Sequence, residues 1–476
     1  MSTNDSPSNF RWNPLASQAL LRLVRSRWFP YALQLVALLV FAALLINGLR
    51  AGGPDSYDAA LSKTLRKTNL TTLVVWGLWW PGVILVTLAL GRVWCTICPM
   101  ELVSNILNRL GRAVGLSRWE LPGWIRAGCV ALLAYLALQL LVAGFEVHRT
   151  PLYTAGVLLG LLALTVLTGL LFRDPRAFCK GFCPASLLLN VYARFSAFRL
   201  KNNSDRVCAE CSTKDCFRAE YREKFDARSC PSCLRPDRLE DDDPCVLCFQ
   251  CAKICPHDNI GFGVAARHQV ARFDKALPLA FALFVFIEAG FVAHELCEET
   301  RITDRVFHYV PEQMAALFGM SSALHWFEAF WFLAAFPLII GGVMWLAGRA
   351  AGARQLPGAF LMRTALLLVP VSATGHAIKS VMKINGSFTC LPGALTDPIG
   401  LQTAQAITAK TVAAPAPMLP GQLLILLMML ALGVVCLAVG RAAHARLDAP
   451  LRASACLGLG LLTGLYSAAL LMLLLA

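Results

Sequence analysis

Cysteine is the residue type in this chain whose spacing most clearly indicates chemistry. Cys245, Cys248, Cys251 and Cys255 are followed by Pro256 and form the pattern C-x2-C-x2-C-x3-C-P. Soft thiolate ligands at this spacing wrap one face of a [4Fe–4S] cluster, and the fourth cysteine reaches a second cluster. Four cysteines packed this closely are poorly suited to one tetrahedral zinc ion. The run therefore predicts an iron–sulfur site that belongs to a pair.

A second, looser set of cysteines precedes this run. Its members are Cys208, Cys211, Cys216, Cys230 and Cys233. In a two-cluster arrangement the remote cysteine of each set crosses over to the other cluster. The predicted ligand sets are Cys208, Cys211, Cys216 and Cys255 for one [4Fe–4S] cluster, and Cys230, Cys245, Cys248 and Cys251 for the other.

The looser set also permits a competing interpretation. The pairs Cys208-x2-Cys211 and Cys230-x2-Cys233 are separated by 18 residues, which fits a zinc ribbon or a single-iron, rubredoxin-like site. Two cysteines discriminate between the interpretations. A ribbon has no use for Cys216, whereas a pair of cubane clusters has no use for Cys233.

Two further cysteine pairs each end in Cys-Pro. Residues 95–99 read CTICP and residues 179–184 read CKGFCP. Arg92 lies near the first pair, and Arg176 and Lys180 lie near the second, so the sequence predicts lowered thiol pKa values. Cys95, Cys98, Cys179 and Cys183 are therefore candidates either for one additional metal site at the membrane surface or for redox thiols. Cys233 is a further candidate of the same kind.

The elements that must position these cysteines are membrane helices. The chain of 476 residues is 57% hydrophobic and 15% charged, whereas soluble domains run near 45–50% apolar and about 25% charged. Its apolar residues form uninterrupted runs of about 20 residues, enough to span a bilayer. The first run follows a leader too long for a cleavable signal. Nine spans are predicted, at 29–49, 70–90, 126–145, 152–172, 275–293, 325–347, 357–376, 420–440 and 453–475.

The Lys and Arg residues that flank the spans predict the orientation. The leader and the segments 91–125, 348–355 and 441–452 are basic and fall on one side, whereas 294–324 is acidic and falls on the other. This predicts a multi-pass protein of the bacterial cytoplasmic (inner) membrane with a periplasmic C-terminus. The formal net charge of +14 is explained by this bias rather than by binding to nucleic acid.

The predicted fold class is mainly α, a polytopic helical membrane protein with an inserted small α+β ferredoxin-like domain that holds two [4Fe–4S] clusters. Its domains are predicted as a cytoplasmic leader (1–28), a four-helix membrane region with the first Cys-Pro motif (29–172), a cytoplasmic segment with the second Cys-Pro motif and the ferredoxin-like domain (173–274), and a five-helix membrane region (275–476). One outer segment, 50–69, is basic and fits the orientation poorly.

Polar residues at or within the last spans form a second candidate site. His294, His325 and His376 are predicted at the outer ends of spans five, six and seven, and Glu288 and Glu328 lie within spans. Intramembrane ionisable residues are functional candidates by default, so these five are candidates for binding haem b, a metal or a quinone. Each histidine is alternatively an interfacial residue that meets water.

Five cysteines remain outside these sets. Cys297 and Cys390 both face the oxidising side under the predicted topology, which predicts a disulfide between them. Cys129, Cys436 and Cys456 lie in or next to spans and are interpreted as packing residues.

The Cys-Pro pairs together with the cysteine-rich segment resemble the NapH/NosR/CcoG-type membrane ferredoxins. Those proteins combine paired C-x3-C-P motifs at membrane borders with a cytoplasmic two-cubane domain. Residues 179–184 match that motif and residues 95–99 are one residue short of it. The resemblance covers roughly 70–274 and implies electron transfer to a periplasmic reductase, oxidase or maturation system. The chain departs from the family in lacking a flavin domain before the first span and a soluble C-terminal domain, and in having four spans more than a minimal architecture.

The leading functional hypothesis is a redox relay, an electron-transfer subunit of an oxidoreductase system. Electrons would pass between cytoplasmic [4Fe–4S] clusters and a quinone, a haem or a partner redox protein at the periplasmic side. Clusters of this kind have potentials of about −400 mV, which favours outward flow from a cytoplasmic donor. The alternative is an assembly or maturation factor that reduces a metal or cofactor for a periplasmic or membrane enzyme. A transporter with a regulatory ferredoxin domain is a third hypothesis, although no inverted repeat supports it.

Overall fold

The structure is a computed structural model that describes residues 10–53, 58–222, 224, 226–239, 245–265 and 276–475. The described residues form two compact units. The first lies within Met1–Ala43, Leu85–Arg126 and Leu161–Ala271, and we call it the cysteine unit. The second lies within Leu44–Ile84, Ala127–Gly160 and Arg272–Ala476, and we call it the helical unit.

Apolar helices dominate the described part of the chain. Eight of them are long and apolar enough to cross a membrane, by length and composition. A helix satisfies its own backbone hydrogen bonds, which is the condition for crossing hydrocarbon. These eight are Tyr31–Arg50, Leu70–Leu90, Pro151–Leu171, Leu279–Cys297, Ser321–Ala350, Pro357–Thr396, Gly421–Arg446 and Ala449–Leu475.

The third predicted span is shorter than the other eight. The helix Cys129–Phe145 has 17 residues and is about 26 Å long at 1.5 Å per residue. It begins after Gly128 and ends before Glu146, and both residues have left-handed backbone angles, φ 93° and 49°. These two breaks limit the length of the helix. The structure therefore supports eight of the nine predicted spans.

The seventh predicted span continues beyond its predicted end. The sequence predicts a span that ends at His376, but the helix Pro357–Ser387 has 31 residues and continues 11 residues further. Those added residues include Lys379 and Lys383, whose charges are both paired with Glu295 of the helix Leu279–Cys297. Because these charges have partners, the helix continues where hydropathy alone predicted that it would stop.

Shorter elements complete the described chain. Within the long spans, π-helical turns cover Leu73–Trp79 and Trp331–Ala335, between the α-helical pieces Leu70–Thr72, Trp80–Leu90, Leu324–Phe330 and Phe336–Ala350. The cysteine unit also contains the helices Gln18–Arg25, Val93–Ile97, Pro99–Ala113, Gly123–Arg126, Phe178–Phe182, Ser186–Ala193, Asp205–Glu210 and Gln250–Ile254. The helical unit also contains Ala59–Thr68, Arg301–Phe307, Tyr309–Leu317, Leu391–Thr396 and Leu401–Thr408. Single 3-10 turns occur at Pro14–Ala16, Ala219–Tyr221, Pro236–Arg238, Ser321–Ala323 and Phe388–Cys390.

A small antiparallel sheet organises the cysteine unit. Its strands are β1 (Phe10–Trp12), β2 (Phe198–Asn202) and β3 (Ile260–Ala265), in the order β1-β3-β2. In the β2–β3 ladder Phe198 pairs with Val264 and Asn202 pairs with Ile260. Strands β2 and β3 therefore bracket the cysteine-rich segment, with β2 immediately before it and β3 immediately after it.

The segment predicted as a separate leader packs into this unit. It contributes β1, and its Asn13 side chain accepts a hydrogen bond from the Phe262 backbone N–H at 3.1 Å. Leu15 and Val24 are buried in one apolar cluster with residues of the cysteine-rich segment, among them Leu247 and Phe249. The leader is thus part of the core around the cysteines, which the predicted domain division did not include.

Gly263 in β3 provides a test of this packing. A Cβ atom at Gly263 would collide with the Trp12 carbonyl oxygen of β1. We expect Gly263→Ala to lower the free energy of unfolding by about 1–3 kcal/mol, the usual cost of overpacking. The matched control is Gly123→Ala, because no atom lies within 4 Å of a Cβ added there. Denaturant titration in detergent measures both, and equal stability of the two variants would contradict the proposed packing.

Candidate iron–sulfur sites and the buried polar cluster

Four cysteines from distant parts of the cysteine-rich segment line one cavity, which we call the first pocket. They are Cys208, Cys211, Cys216 and Cys255. Cys208 is six residues after the end of β2 and Cys255 is five residues before the start of β3. The Asn202–Ile260 pairing of the ladder therefore brings the two ends of the segment to the same place.

Amide groups point at the sulfur atoms of the first pocket. The Asn259 side-chain amide donates to Cys208 Sγ at 3.2 Å, and the Asn259 backbone N–H donates to Cys255 Sγ at 3.4 Å. The Lys214 backbone N–H donates to Cys211 Sγ at 3.4 Å, and Lys214 has a left-handed φ of 48°. Donors of this kind stabilise negative charge on sulfur, which a thiolate ligand carries. Asn259 is a site residue that the sequence analysis missed, since no motif marks it.

The second pocket is lined by the other four cysteines. They are Cys230, Cys245, Cys248 and Cys251. Leu247 and Phe249 lie on either side of Cys248 and both have left-handed backbone angles, φ 53° and 54°. Non-glycine residues in this region are strained, and such strain is concentrated at functional sites. The backbone on either side of Cys248 is thus bent where three closely spaced cysteines line one cavity.

Burial opposes ionisation of several thiols that line the two pockets. Burial raises the pKa of Cys216 to about 12, and the charge of Cys255 adds to the effect. Burial and the charge of Cys248 raise the pKa of Cys230 to about 11. Burial also raises the pKa of Cys251 above the ordinary thiol value. Deprotonation at these positions therefore requires a strong compensating charge, which a bound metal supplies.

Cys233 lines neither pocket. It is exposed and has a left-handed φ of 60°. The zinc-ribbon interpretation requires Cys208, Cys211, Cys230 and Cys233 around one ion, but these cysteines are divided between two cavities and an exposed position. Among the residues that the structure describes, no group of three or more His, Cys, Asp or Glu side chains is close enough to hold a single metal ion.

The two Cys-Pro pairs come together within the cysteine unit, and we call them the Cys-Pro site. Pro99 starts the helix Pro99–Ala113 at its first turn, where proline is favoured, and Cys98 immediately precedes it. Burial raises the pKa of Cys98, and the charges of Cys95 and Cys183 raise it further. The charges of Cys183 and Cys98 likewise raise the pKa of Cys179. Each of the four thiols is therefore within electrostatic reach of at least one thiol of the other pair.

The predicted lowering of thiol pKa values at this site is wrong. Burial raises the pKa of Cys179 above its ordinary value, although the Arg176 charge opposes the shift, and burial raises the pKa of Cys183 to about 11. The positive charge of Arg176 is directed to Glu101, whose carboxylate lies 2.6 Å from Arg176 Nε. Sequence proximity gave the correct charge, but the carboxylate partner and the burial could not be read from it.

The Cys-Pro site adjoins the second pocket. The Thr96 hydroxyl, between Cys95 and Cys98, donates to the Val246 backbone carbonyl, between Cys245 and Cys248. Thr96 and Val246 are 2% and 4% exposed, so water does not separate the two cysteine motifs at this contact.

Three polar residues of the helical unit form a buried cluster. The Tyr135 hydroxyl donates to Glu288 Oε2 at 2.6 Å, and His376 Nδ1 lies 2.6 Å from Glu288 Oε1. These side chains are between 1% and 5% exposed and come from three different helices. Both carboxylate oxygens of Glu288 thus have a proton-bearing partner. Tyr135 was not identified by the sequence analysis.

The structure gives the three predicted outer histidines different partners. His376 lies within its helix rather than at its end, because the helix continues to Ser387. His294 is paired instead with His308, with 2.8 Å between His294 Nδ1 and His308 Nε2, and His308 is hydrogen-bonded to Asp304 at 2.8 Å. His325 packs against Trp326, and Glu328 is on the same short helix. Four-residue spacing of Asp304 and His308 is the signal that marks this missed pair.

The basic outer segment 50–69 has an explanation in the helical unit. Burial lowers the pKa of Arg66 and Arg149 lowers it further, whereas the carboxylates of Glu295, Glu298 and Glu299 raise it. Arg66 therefore lies within electrostatic reach of the acidic segment that the sequence placed on the same side. Arg66, one of the charges that disagreed with the orientation rule, is thus a counter-charge to this acidic group.

The predicted disulfide between Cys297 and Cys390 is wrong, since both cysteines are free. Lys379 contacts Glu295 and Glu299, on either side of Cys297. Lys379 therefore marks the part of its helix that lies near Cys297. Cys390 is eleven residues beyond Lys379, a separation of about 16 Å along a helix. It is buried instead beside Leu73 and Ala394. Of the cysteines interpreted as packing residues, Cys129 and Cys456 are exposed and Cys436 is partly buried.

Comparison with known proteins supports iron–sulfur binding. The family model described as "4Fe-4S binding domain" matches residues 72–117 and 154–203. These ranges contain both Cys-Pro pairs and end before Cys208. Part of the chain is thus similar to a 4Fe-4S binding domain, which indicates an iron–sulfur electron-transfer role.

Two archaeal proteins are similar to part of the chain. Uncharacterized protein MJ0750 of Methanocaldococcus jannaschii is 27% identical over 199 residues, which are 38% of this chain and 76% of that protein. Uncharacterized protein MJ0749 of the same organism is 25% identical over 179 residues, 37% of this chain and 67% of that protein. No solved structure matches the chain.

Cys216 and Cys233 give a direct test of the first pocket. We expect Cys216→Ser to lose about four irons per chain and the matching sulfide, because it removes one of four thiols lining that cavity. Cys233→Ser is the matched control and is expected to retain the wild-type iron content. Iron, sulfide and zinc analysis of purified protein measures both. Zinc in the wild type, lost with Cys233→Ser but retained in Cys216→Ser, would instead establish a ribbon.

Proposed function

We propose that this chain is a membrane electron-transfer protein that relays electrons from iron–sulfur clusters of the cysteine unit to an acceptor at the helical unit. The observation that carries this proposal is the division of eight cysteines into two cavities lined by four cysteines each. When bound, a [4Fe–4S] cluster supplies one-electron transfer. The chain's own residues supply thiolate ligands, hydrogen bonds to sulfur and exclusion of water.

The cavities fit this cofactor by the chemistry of their lining. Besides four thiols, the second pocket is lined by apolar side chains, including Leu200 and Leu239. Beside its cysteines, the described residues include buried polar atoms without a hydrogen-bond partner, namely Arg228 Nε, Ser229 Oγ and Gln250 Nε2. Buried polar groups without partners cost free energy, so their presence here is consistent with an additional acceptor. We assign one cluster to each pocket.

We assign a third [4Fe–4S] cluster to the Cys-Pro site. The family model covers these four cysteines, and the electrostatic effects among them support a single site. Under this assignment we favour the relay over the assembly factor. An assembly factor that uses redox thiols requires low thiol pKa values. Burial raises the pKa of Cys98, Cys179 and Cys183, which supports the relay.

For the acceptor we favour a quinone over a haem. Ligation of haem by two histidines needs two imidazole nitrogens that face one iron. His376 is paired with Glu288 and His294 with His308, so the two histidines belong to separate hydrogen-bonded pairs. A quinone takes up protons together with electrons, and the Tyr135–Glu288–His376 cluster is a source of protons at membrane depth. His325 and Glu328 have no assigned role in this proposal.

The proposed orientation in the membrane rests on the charge pattern of the segments that flank the spans. We propose a bacterial inner membrane, a cytoplasmic cysteine unit and a periplasmic C-terminus. A redox protein on either side is the expected partner, together with the quinone pool and the bilayer itself. The chain then acts as an electron-transfer subunit of an oxidoreductase system.

Cys98→Ser tests the third cluster. We expect the wild-type protein to contain about 12 irons and Cys98→Ser about four fewer, because each [4Fe–4S] cluster carries four irons. Cys129→Ser is the matched control, since Cys129 is exposed and belongs to neither pocket nor to the Cys-Pro site. Iron and sulfide analysis with EPR of the reduced proteins measures the loss. Full iron content in Cys98→Ser would contradict a cluster there and return the thiols to redox chemistry.

Glu288→Gln tests the acceptor. In proteoliposomes, dithionite-reduced wild-type protein is expected to be reoxidised by a membrane-soluble quinone. Glu288→Gln should slow this reaction on the order of 10²-fold, because the amide retains hydrogen bonding but cannot relay a proton. Glu146→Gln is the control, since the Glu146 side chain is 53% exposed and its carboxylate pairs with Arg149 one turn away. Stopped-flow absorbance of the clusters gives the rates, and an unchanged Glu288→Gln rate would locate the acceptor elsewhere.

A further inference from the structure

A buried ion pair lies between the Cys-Pro site and the second pocket. We propose that Arg176 and Glu101 set the reduction potentials of the clusters at both sites. The Arg176 guanidinium favours the reduced form of each cluster, and the Glu101 carboxylate disfavours it. This inference rests on the proposed function, since it requires clusters at both sites. It adds two positioning residues that the cysteine motifs do not contain.

The pair is removed from water and firmly held. Arg176 and Glu101 are 3% and 4% exposed, and Arg176 Nε lies 2.6 Å from Glu101 Oε2. Arg176 has a left-handed φ of 61°. This backbone geometry costs free energy in a non-glycine residue, so it persists only where surrounding contacts hold the residue in place. The guanidinium is therefore held at a defined position.

Each member of the pair also reaches one of the two sites. Arg176 Nη1 donates to Ser232 Oγ at 2.7 Å, and Ser232 lines the second pocket together with Cys230. Glu101 Oε2 lies 3.7 Å from Cys179 Sγ of the Cys-Pro site. The two charges are thus in contact with residues of both sites at once.

A third buried residue ties the pair to the cysteine run. Arg228 Nη2 lies 3.7 Å from the other carboxylate oxygen of Glu101. The Arg228 backbone N–H donates to the Gln250 side-chain oxygen at 3.3 Å, and Gln250 precedes Cys251 and is fully buried. Arg228 Nη1 also donates to Asn105 at 3.1 Å, on the same helix as Glu101. The second cation therefore fixes the carboxylate relative to the second pocket.

The expected effect follows from electrostatics in a medium with little water. Taking up an electron adds one negative charge to an iron–sulfur site, and the net charge around a cluster is one determinant of its potential. A nearby buried cation favours the added charge, whereas a nearby buried carboxylate opposes it. Exposed charges at similar distance are screened by water and salt. Removing the cation must lower both potentials, and removing the carboxylate must raise them.

The experiment is a redox titration of purified holoprotein monitored by EPR, with wild type, Arg176→Met, Arg176→Lys and Glu101→Gln. We expect Arg176→Met to shift the midpoint potentials of the Cys-Pro site and the second pocket downwards. Glu101→Gln should shift both upwards, and Arg176→Lys should stay close to the wild type because it retains the charge. Cys98→Ser identifies which signal belongs to the Cys-Pro site.

Arg206→Met is the matched control. Arg206 is also an arginine paired with a glutamate, with Nε 2.8 Å from Glu210 Oε1, but the two side chains are 66% and 65% exposed. We expect no shift at the Cys-Pro site or the second pocket in this variant. A shift equal to that of Arg176→Met would show that burial is irrelevant and would overturn the proposal.

Two results separate this inference from the proposed function. If iron content is wild type in the Arg176 and Glu101 variants but their potentials do not move, or move in the same direction, the electrostatic proposal is wrong and the relay stands. If Cys98→Ser retains all iron, the third cluster itself is wrong. If Arg176→Met does not fold, the upward shift expected for the nearly isosteric Glu101→Gln still decides the question.

Discussion

The antiparallel pairing of β2 with β3 is the interaction on which the arrangement of the cysteines depends. The ladder joins Asn202 to Ile260 and so fixes the two ends of the cysteine-rich segment next to each other. Cys208 and Cys255 are both within six residues of that join, and Asn259 donates hydrogen bonds to both sulfur atoms. Without the ladder, Cys255 would remain beside its sequence neighbours and the cavities would not contain four thiols each. Gly263 allows β1 to approach the same ladder, which adds the leader to the core.

A second constraint acts on charges that are removed from water. An isolated buried charge costs much free energy, so each one needs a partner. Removing one partner of a buried pair destabilises the fold more than replacing both with apolar residues. In the cysteine unit Glu101 is placed between Arg176 and Arg228. In the helical unit Lys379 and Lys383 are matched by Glu295 and Glu299. The same rule accounts for the length of the helix Pro357–Ser387, because paired lysines allow it to continue into a polar region.

The sequence was informative wherever one short segment determines the chemistry. The spacing of Cys245 to Cys255 predicts a loop that presents thiols, and the apolar runs predict the long helices, because both signals are local. Asn259 and Tyr135 could not be found in this way. Each acts through a partner that is distant in the sequence or has no motif, and only the fold brings the two together. The error at Cys98 and Cys179 has the same origin, since the sequence shows a nearby cation but not the burial that outweighs it.

The Cys-Pro site contacts the second pocket directly within the cysteine unit. The two cysteine motifs share a direct hydrogen bond from Thr96 to Val246 and a charged bridge through Arg176. The first pocket has a different lining and is bonded to the β2–β3 ends through Asn259. Cys216 and Cys230 are nevertheless joined by a backbone hydrogen bond of 2.9 Å, so the two pockets are also neighbours. The second pocket therefore adjoins both of the other sites. In the proposed relay, the second pocket would therefore hold the middle cluster of the three.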